Sequence, residues 1–162
     1  MNKRDLVLEV LNSAKPQTVI PAAFFLHFDP MYHRGQPAVE KHLEYFRYTG
    51  MDFVKIQYEN KFPTLDFIQK PEDWAKIPCY GAEFYEGMLH VVQGLVRAAK
   101  SEALVVLTLY SPFMSAVHTT SEKIVARHIQ EDPAAFNKGM QIITESLIGF
   151  VKDCIRTGMD GF

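Results

Sequence analysis

Residues Thr49-Gly50-Met51-Asp52 recur as Thr157-Gly158-Met159-Asp160, and each copy closes a long amphipathic stretch. Glycine ends a helix readily because it takes a left-handed backbone at no steric cost. The first copy leads into Phe53-Val54-Lys55-Ile56-Gln57-Tyr58, a run of β character. A chain that twice turns from helix toward strand through the same residues is built of repeated α/β units. The second copy is followed only by Gly161-Phe162. The sequence therefore reads as ending at the first residues of a strand, as the front part of a larger protein.

Periodicity fills in the order. Residues 3–14 read as a helix with Leu6, Val7, Val10 and Leu11 on one face, stopped at Pro16. Residues 18–28 form an apolar run of strand character, with Pro21 near its start. A loop over 27–36 leads to a helix over 38–48, then to the second strand, 53–58. Another loop, 59–71, precedes a short helical start at Pro71-Trp74 and a long helix over 81–100 with Phe84, Met88, Val92, Leu95 and Ala99 inside. The third strand, 103–109, is almost wholly apolar, as in a strand buried on both faces. Residues 114–130 read as helical. Asp132 and Pro133 suit the cap and first position of a last helix to Arg156.

This alternation predicts parallel strands joined by right-handed crossovers. The expected fold is α/β: the N-terminal part of a (β/α)8 TIM barrel, with three parallel strands plus the start of a fourth. Residues 1–162 would be one portion of a single domain, truncated at its C-terminus. A doubly wound sheet fits the same order, but no glycine-rich phosphate fingerprint follows any strand.

Composition narrows the partners. Net charge is −2 with 22% charged residues, and no basic stretch or helix face points to nucleic acid. No apolar run approaches the ~18 residues of a membrane span. The first residues lead into an amphipathic helix, not a signal-peptide core. Cys79 and Cys154 form neither a disulfide framework nor a metal spacing, and His27 and Asp29 with His33, the alternative metal set, match no known spacing, so no metal is expected in this portion. A cytoplasmic, reduced protein is the expectation. The unpaired strand edges and open helix faces of a part-barrel predict association, as a homo-oligomer or with a completing piece.

In a barrel, chemistry gathers where strands end. That rule selects His27-Phe28-Asp29, then Gln57-Tyr58-Glu59-Asn60, then Tyr110-Ser111 with His118 just beyond. Each window sets polar, titratable groups directly after an apolar run. His27 and Asp29, two apart, face the same way on an extended segment, where a carboxylate tunes an imidazole for acid–base work. The candidate catalytic residues are Glu59, His27, Asp29 and His118. Phe28, Gln57, Tyr58, Tyr110 and Ser111 are the candidate substrate contacts. The plainer alternatives are a loop histidine with a turn-forming Asp29, a solvated Glu59, turn formers at Tyr110-Ser111, and a structural His118. His33 and His42 read as surface residues, His90 and His128 as solvent-facing or packing positions, Cys154 as packing, and Trp74 as a lid or packing aromatic.

These windows, with Thr49-Gly50-Met51-Asp52-Phe53-Val54-Lys55, Tyr110-Ser111-Pro112-Phe113, Asp132-Pro133 and Gly158-Met159-Asp160-Gly161, resemble the uroporphyrinogen decarboxylase superfamily. That group holds porphyrinogen decarboxylases and corrinoid-linked methyltransferases. The likeness runs diffusely over the whole chain and implies the N-terminal half of a barrel. It places Glu59 where the decarboxylases keep an essential Asp after the second strand, and His118 where they keep a Tyr. Their arginine-rich run after strand one is here Leu26-His27-Phe28-Asp29-Pro30, without arginine, so a highly carboxylated porphyrinogen does not fit. The resemblance implies a carboxy-lyase-type enzyme acting on a tetrapyrrole-type or small organic ligand. Its methyltransferase branch implies zinc, bound in the absent second half, and a corrinoid partner. A catalytically inactive piece needing a partner chain is the third alternative.

Overall fold

The computed structural model describes residues 2–15 and 18–162. The expected helix stop at Pro16 lies outside the described residues. Helix α1, Lys3–Asn12, starts where the Asn2 side chain accepts the Asp5 N–H. Helix α2, Gly35–Thr49, ends on Gly50 at φ 67°, and strand β1, Phe53–Ile56, follows. Helix α3, Ala82–Ala99, leads to strand β2, Leu104–Leu107. Helices α4, Pro112–Thr119, α5, Glu122–Glu131, and α6, Pro133–Arg156, complete the order. Short 3-10 turns stand at Pro30–Tyr32 and Pro71–Lys76.

The barrel expectation is overturned. Helix makes up 59% of the structure. Its one sheet, among the described residues, is the parallel pair β1–β2, with Phe53 opposite Leu104 and Ile56 opposite Leu107. The protein is a mostly helical α/β protein, not three or four strands of a barrel. The apolar run 18–28 forms no strand among its described residues, and Ile20 is 88% exposed there. Apolar composition does not make a strand; a ladder partner does. Pro21 has no N–H to offer a ladder, and the run's backbone bonds near the start of β1 are those of Ala22 with Asp52. The expected fourth strand is one parallel bridge, Val106 to Gly161.

Contacts divide the chain into two compact units: Met1–Glu59, Glu86–Leu109 and Asp153–Phe162 in the first, Asn60–Tyr85 and Tyr110–Lys152 in the second. In the first, Val54 and Ile56 of β1, Val105 and Leu107 of β2, and Val92 and Leu95 of α3 are buried. Close approach of α3 to α2 depends on Gly94, where a Cβ would stand 2.6 Å from Val39 Cγ2. The repeated tetrapeptide does the same work twice. Asp52 donates its N–H to Ala22 O at 2.8 Å and accepts the Ala22 N–H on its carboxylate at 2.8 Å. Asp160 donates to Val105 O at 3.0 Å and accepts the Val105 N–H at 2.9 Å. Arg4 of α1 grips Asp160 with both guanidinium nitrogens, at 2.9 and 2.8 Å. Burial works to raise the Asp160 pKa, but Arg4 and the Val105 N–H outweigh it and hold the carboxyl below its ordinary value.

In the second unit Trp74 is fully buried, lies edge-on to Phe136, and donates its indole N–H to His128 Nδ1 at 2.9 Å. His128 is fully buried too, so the pair satisfies polar atoms that would otherwise be stranded. Gly139 lets α6 pass against Trp74, since a Cβ there would lie 2.7 Å from Trp74 Cβ. Asp73 accepts the Gln69 and Lys70 N–H groups and pairs with Lys76; chiefly through Lys76 its pKa falls to about 2. No helix among the described residues is long and apolar enough to cross a membrane.

Two substitutions test this packing by urea unfolding. Asp160→Asn keeps an acceptor for Val105 but loses the ion pair, and is expected to cost about 1–2 kcal/mol; an Arg4→Met background should absorb most of that loss. Gly139→Ala should destabilise by about 1–2 kcal/mol through overpacking. Gly149→Ala, on the same helix with nothing within 4 Å, should instead stabilise by roughly 0.5–1 kcal/mol. Equal effects at the two glycines would refute the close approach at Trp74.

Candidate functional site

Alternation along β1 sorts its side chains. Val54 and Ile56 are buried on one face, while Lys55 and Gln57 lie two apart and touch, Nζ to Oε1, at 3.4 Å. Glu59 comes two residues further. The backbone of this segment is pinned from α2 by His42. That histidine donates Nδ1–H to Ala38 O at 2.7 Å and accepts the Gln57 N–H on Nε2 at 2.9 Å. Both nitrogens are used only when the ring is neutral with its proton on Nδ1. Burial lowers the His42 pKa, opposed in part by the Ala38 bond and the Glu59 charge.

Glu59 is 7% exposed at its side chain. One carboxylate oxygen lies 2.9 Å from His27 Nδ1, and the other 4.0 Å from His33 Nε2. His33 uses that Nε2–H on Phe28 O, at 2.8 Å. The His27 side chain is half exposed, and its ring meets Phe25 edge-on at 4.6 Å. On Phe25 also rests the Lys55 ammonium, 4.1 Å from the ring centre. Desolvation lowers the Lys55 pKa. The two sequence windows thus meet: His27 is joined to Glu59 across 32 positions.

Other expectations fare differently. Asp29 is not the partner of His27; it caps the Pro30–Tyr32 turn, accepting the Met31 N–H at 3.1 Å, as a turn-forming Asp before Pro does. Phe28 is buried, packed edge-on to His42 and Tyr45, so it is a wall and not an open contact. Gln57 and Tyr58 are buried as well. In the second unit Ser111 accepts the Met114 N–H as the cap of α4, and Tyr110 meets the His118 ring edge-on at 4.7 Å. Burial, and then the Lys61 charge, lower the His118 pKa. The packing readings of Trp74 and Cys154 hold: both are fully buried, and burial raises the Cys154 thiol pKa to about 12.

Sequence reading missed His42, His33 and Lys55. His42 is 4% exposed, not a surface residue. Its position carries a signal, because Val39, His42 and Phe46 fall on one helical stripe and all three are buried. Lys55 stands alone between apolar neighbours in a strand. Among the described residues no three His, Cys, Asp or Glu side chains are grouped to hold a metal ion. No family model matches the chain, and neither a curated protein nor a solved structure matches it.

His42 makes stability depend on pH. Its folded pKa is lowered, so the unfolded chain takes the proton first as pH falls. The contribution is full above the ordinary histidine value of about 6.5 and is lost progressively below it. Urea unfolding between about pH 7.5 and about pH 5.5 should show falling stability. His42→Gln should be less stable at the upper end and show a shallower slope.

Proposed function

We propose that this protein is an enzyme whose His27–Glu59 pair moves a proton on a small organic ligand beyond the end of β1. The 2.9 Å contact between a nearly buried carboxylate and a half-exposed imidazole carries this reading. A carboxylate on Nδ1 holds the ring with its proton there, leaving Nε2 as the base. Once Nε2 has taken a proton, Glu59 stabilises the imidazolium against its charge. The backbone that His42 fixes at Gln57 sets where the carboxylate lies.

The carboxy-lyase chemistry implied by the resemblance to uroporphyrinogen decarboxylases gives this chain's own pair a definite task. The carbon–carboxylate bond breaks, carbon dioxide leaves, and the electron pair stays on a carbon conjugated within the ligand. Nε2–H of the imidazolium then protonates that carbon. Asp29 has no part in this scheme, being a turn cap.

Two measurements test the pair. Carbon dioxide release from a panel of small carboxylic acids should fall about 100-fold or more in Glu59→Gln and in His27→Gln. Nitrogen-15 NMR at alkaline pH should show His27 protonated on Nδ1 in the parent and shifted toward Nε2 in Glu59→Ala. An unchanged tautomer would remove the pair from the mechanism.

A further inference from the structure

We infer that Lys55 and Gln57 form a carboxylate-binding subsite beside the His27–Glu59 pair, for a small, partly apolar carboxylic acid bearing one such group. This deepens the proton-transfer reading and rests on it for the identity of the reacting centre. Four observations carry it. Lys55 is a partly buried ammonium, and among the described residues no carboxylate lies within ion-pair distance of it. Its neighbours are the Phe25 face at 4.1 Å and the Gln57 oxygen at 3.4 Å, a distance at the outer edge of hydrogen bonding. Gln57 is fully buried, and among the described residues its side-chain Nε2 has no hydrogen-bond partner. A buried amide donor left unmade is costly, and native proteins rarely tolerate one without a use.

A carboxylate answers both deficits at once: one oxygen takes the ammonium, the other the amide N–H. The fourth observation sets the size. Lys55 and the His27 ring rest against the same aromatic side chain, Phe25, which is half exposed. An acid whose carboxylate sits on Lys55 thus has the carbon that bears it over Phe25, the side chain the His27 ring also meets, and its apolar remainder along that wall. The apolar wall favours an aryl or short aliphatic skeleton over a polyanion, and one cation suits one negative group.

Benzoate is the probe, with benzamide and inorganic phosphate as contrasts, in NMR titrations of the full chain. Benzoate should shift the Lys55, Gln57 and Phe25 signals saturably, while benzamide and phosphate should bind at least about tenfold more weakly. Lys55→Met, which keeps the aliphatic stem, should weaken benzoate about tenfold or more at unchanged fold by circular dichroism. Should Lys55→Met not fold, Gln57→Glu, which sets a like charge beside the ligand, should weaken it as well. Glu59→Gln should leave benzoate binding intact, so loss of turnover in that variant tests the proton-transfer pair separately. Benzoate binding unaffected by Lys55→Met, phosphate binding as well as benzoate, or no shift at these residues would each overturn the subsite.

Discussion

An aspartate that clasps one backbone residue, its carboxylate accepting that residue's N–H and its own backbone N–H donating to that residue's C=O, is the constraint on which the first unit rests. Asp160 does this to Val105, and Asp52 does it to Ala22. In each case a positive-φ glycine two residues earlier turns the chain out of a helix, and a buried methionine between them anchors the turn. Arg4 then ties α1 to Asp160 with two parallel bonds. Without the clasp, the register of Gly161 beside Val106 would fall to the Leu107 N–H bond to Gly161 O, and α1 would lose its charged anchor. A two-stranded parallel pair is a small sheet, so side-chain clasps at its head matter more than they would in a broad one.

From that fixed head, β1 delivers its residues to two environments. Val54 and Ile56 go into the core. Lys55 and Gln57 take the other face, and Glu59 follows once the ladder has ended. His42 then holds the Gln57 N–H that the ladder no longer serves. The same histidine that completes the backbone bonding therefore sets where Glu59 meets His27. A neutral, buried imidazole suits that task because it offers one donor and one acceptor in fixed directions. Structure and chemistry at this site share one support.

Parts of this were legible in the chain. Gly50 and Gly158 announced helix ends; Asp132 and Pro133 announced the start of α6, where Asp132 accepts the Ala134 and Ala135 N–H groups. Leu104–Leu107 announced a buried strand. Glu59 and His27 stood out as polar groups after apolar runs, and they meet. The apolar run 18–28 misled, because Val19, Ile20, Phe24, Phe25 and Leu26 have strand-like side chains yet stay exposed. Composition records what a segment would bury, not whether a partner strand is present to receive it. The barrel reading failed with that strand.

Sequence alone determined the local events: where helices begin and end, the strand character of 53–56 and 104–107, and which turn is used twice. Those follow from backbone preferences and periodicity, which act within a few residues. Only the tertiary structure decided that His27 pairs with Glu59 and not with Asp29, that His42 is buried and neutral, and that Lys55 shares Phe25 with His27. These are encounters between segments far apart in the chain, and no short-range rule of spacing carries the direction in which a side chain finally points.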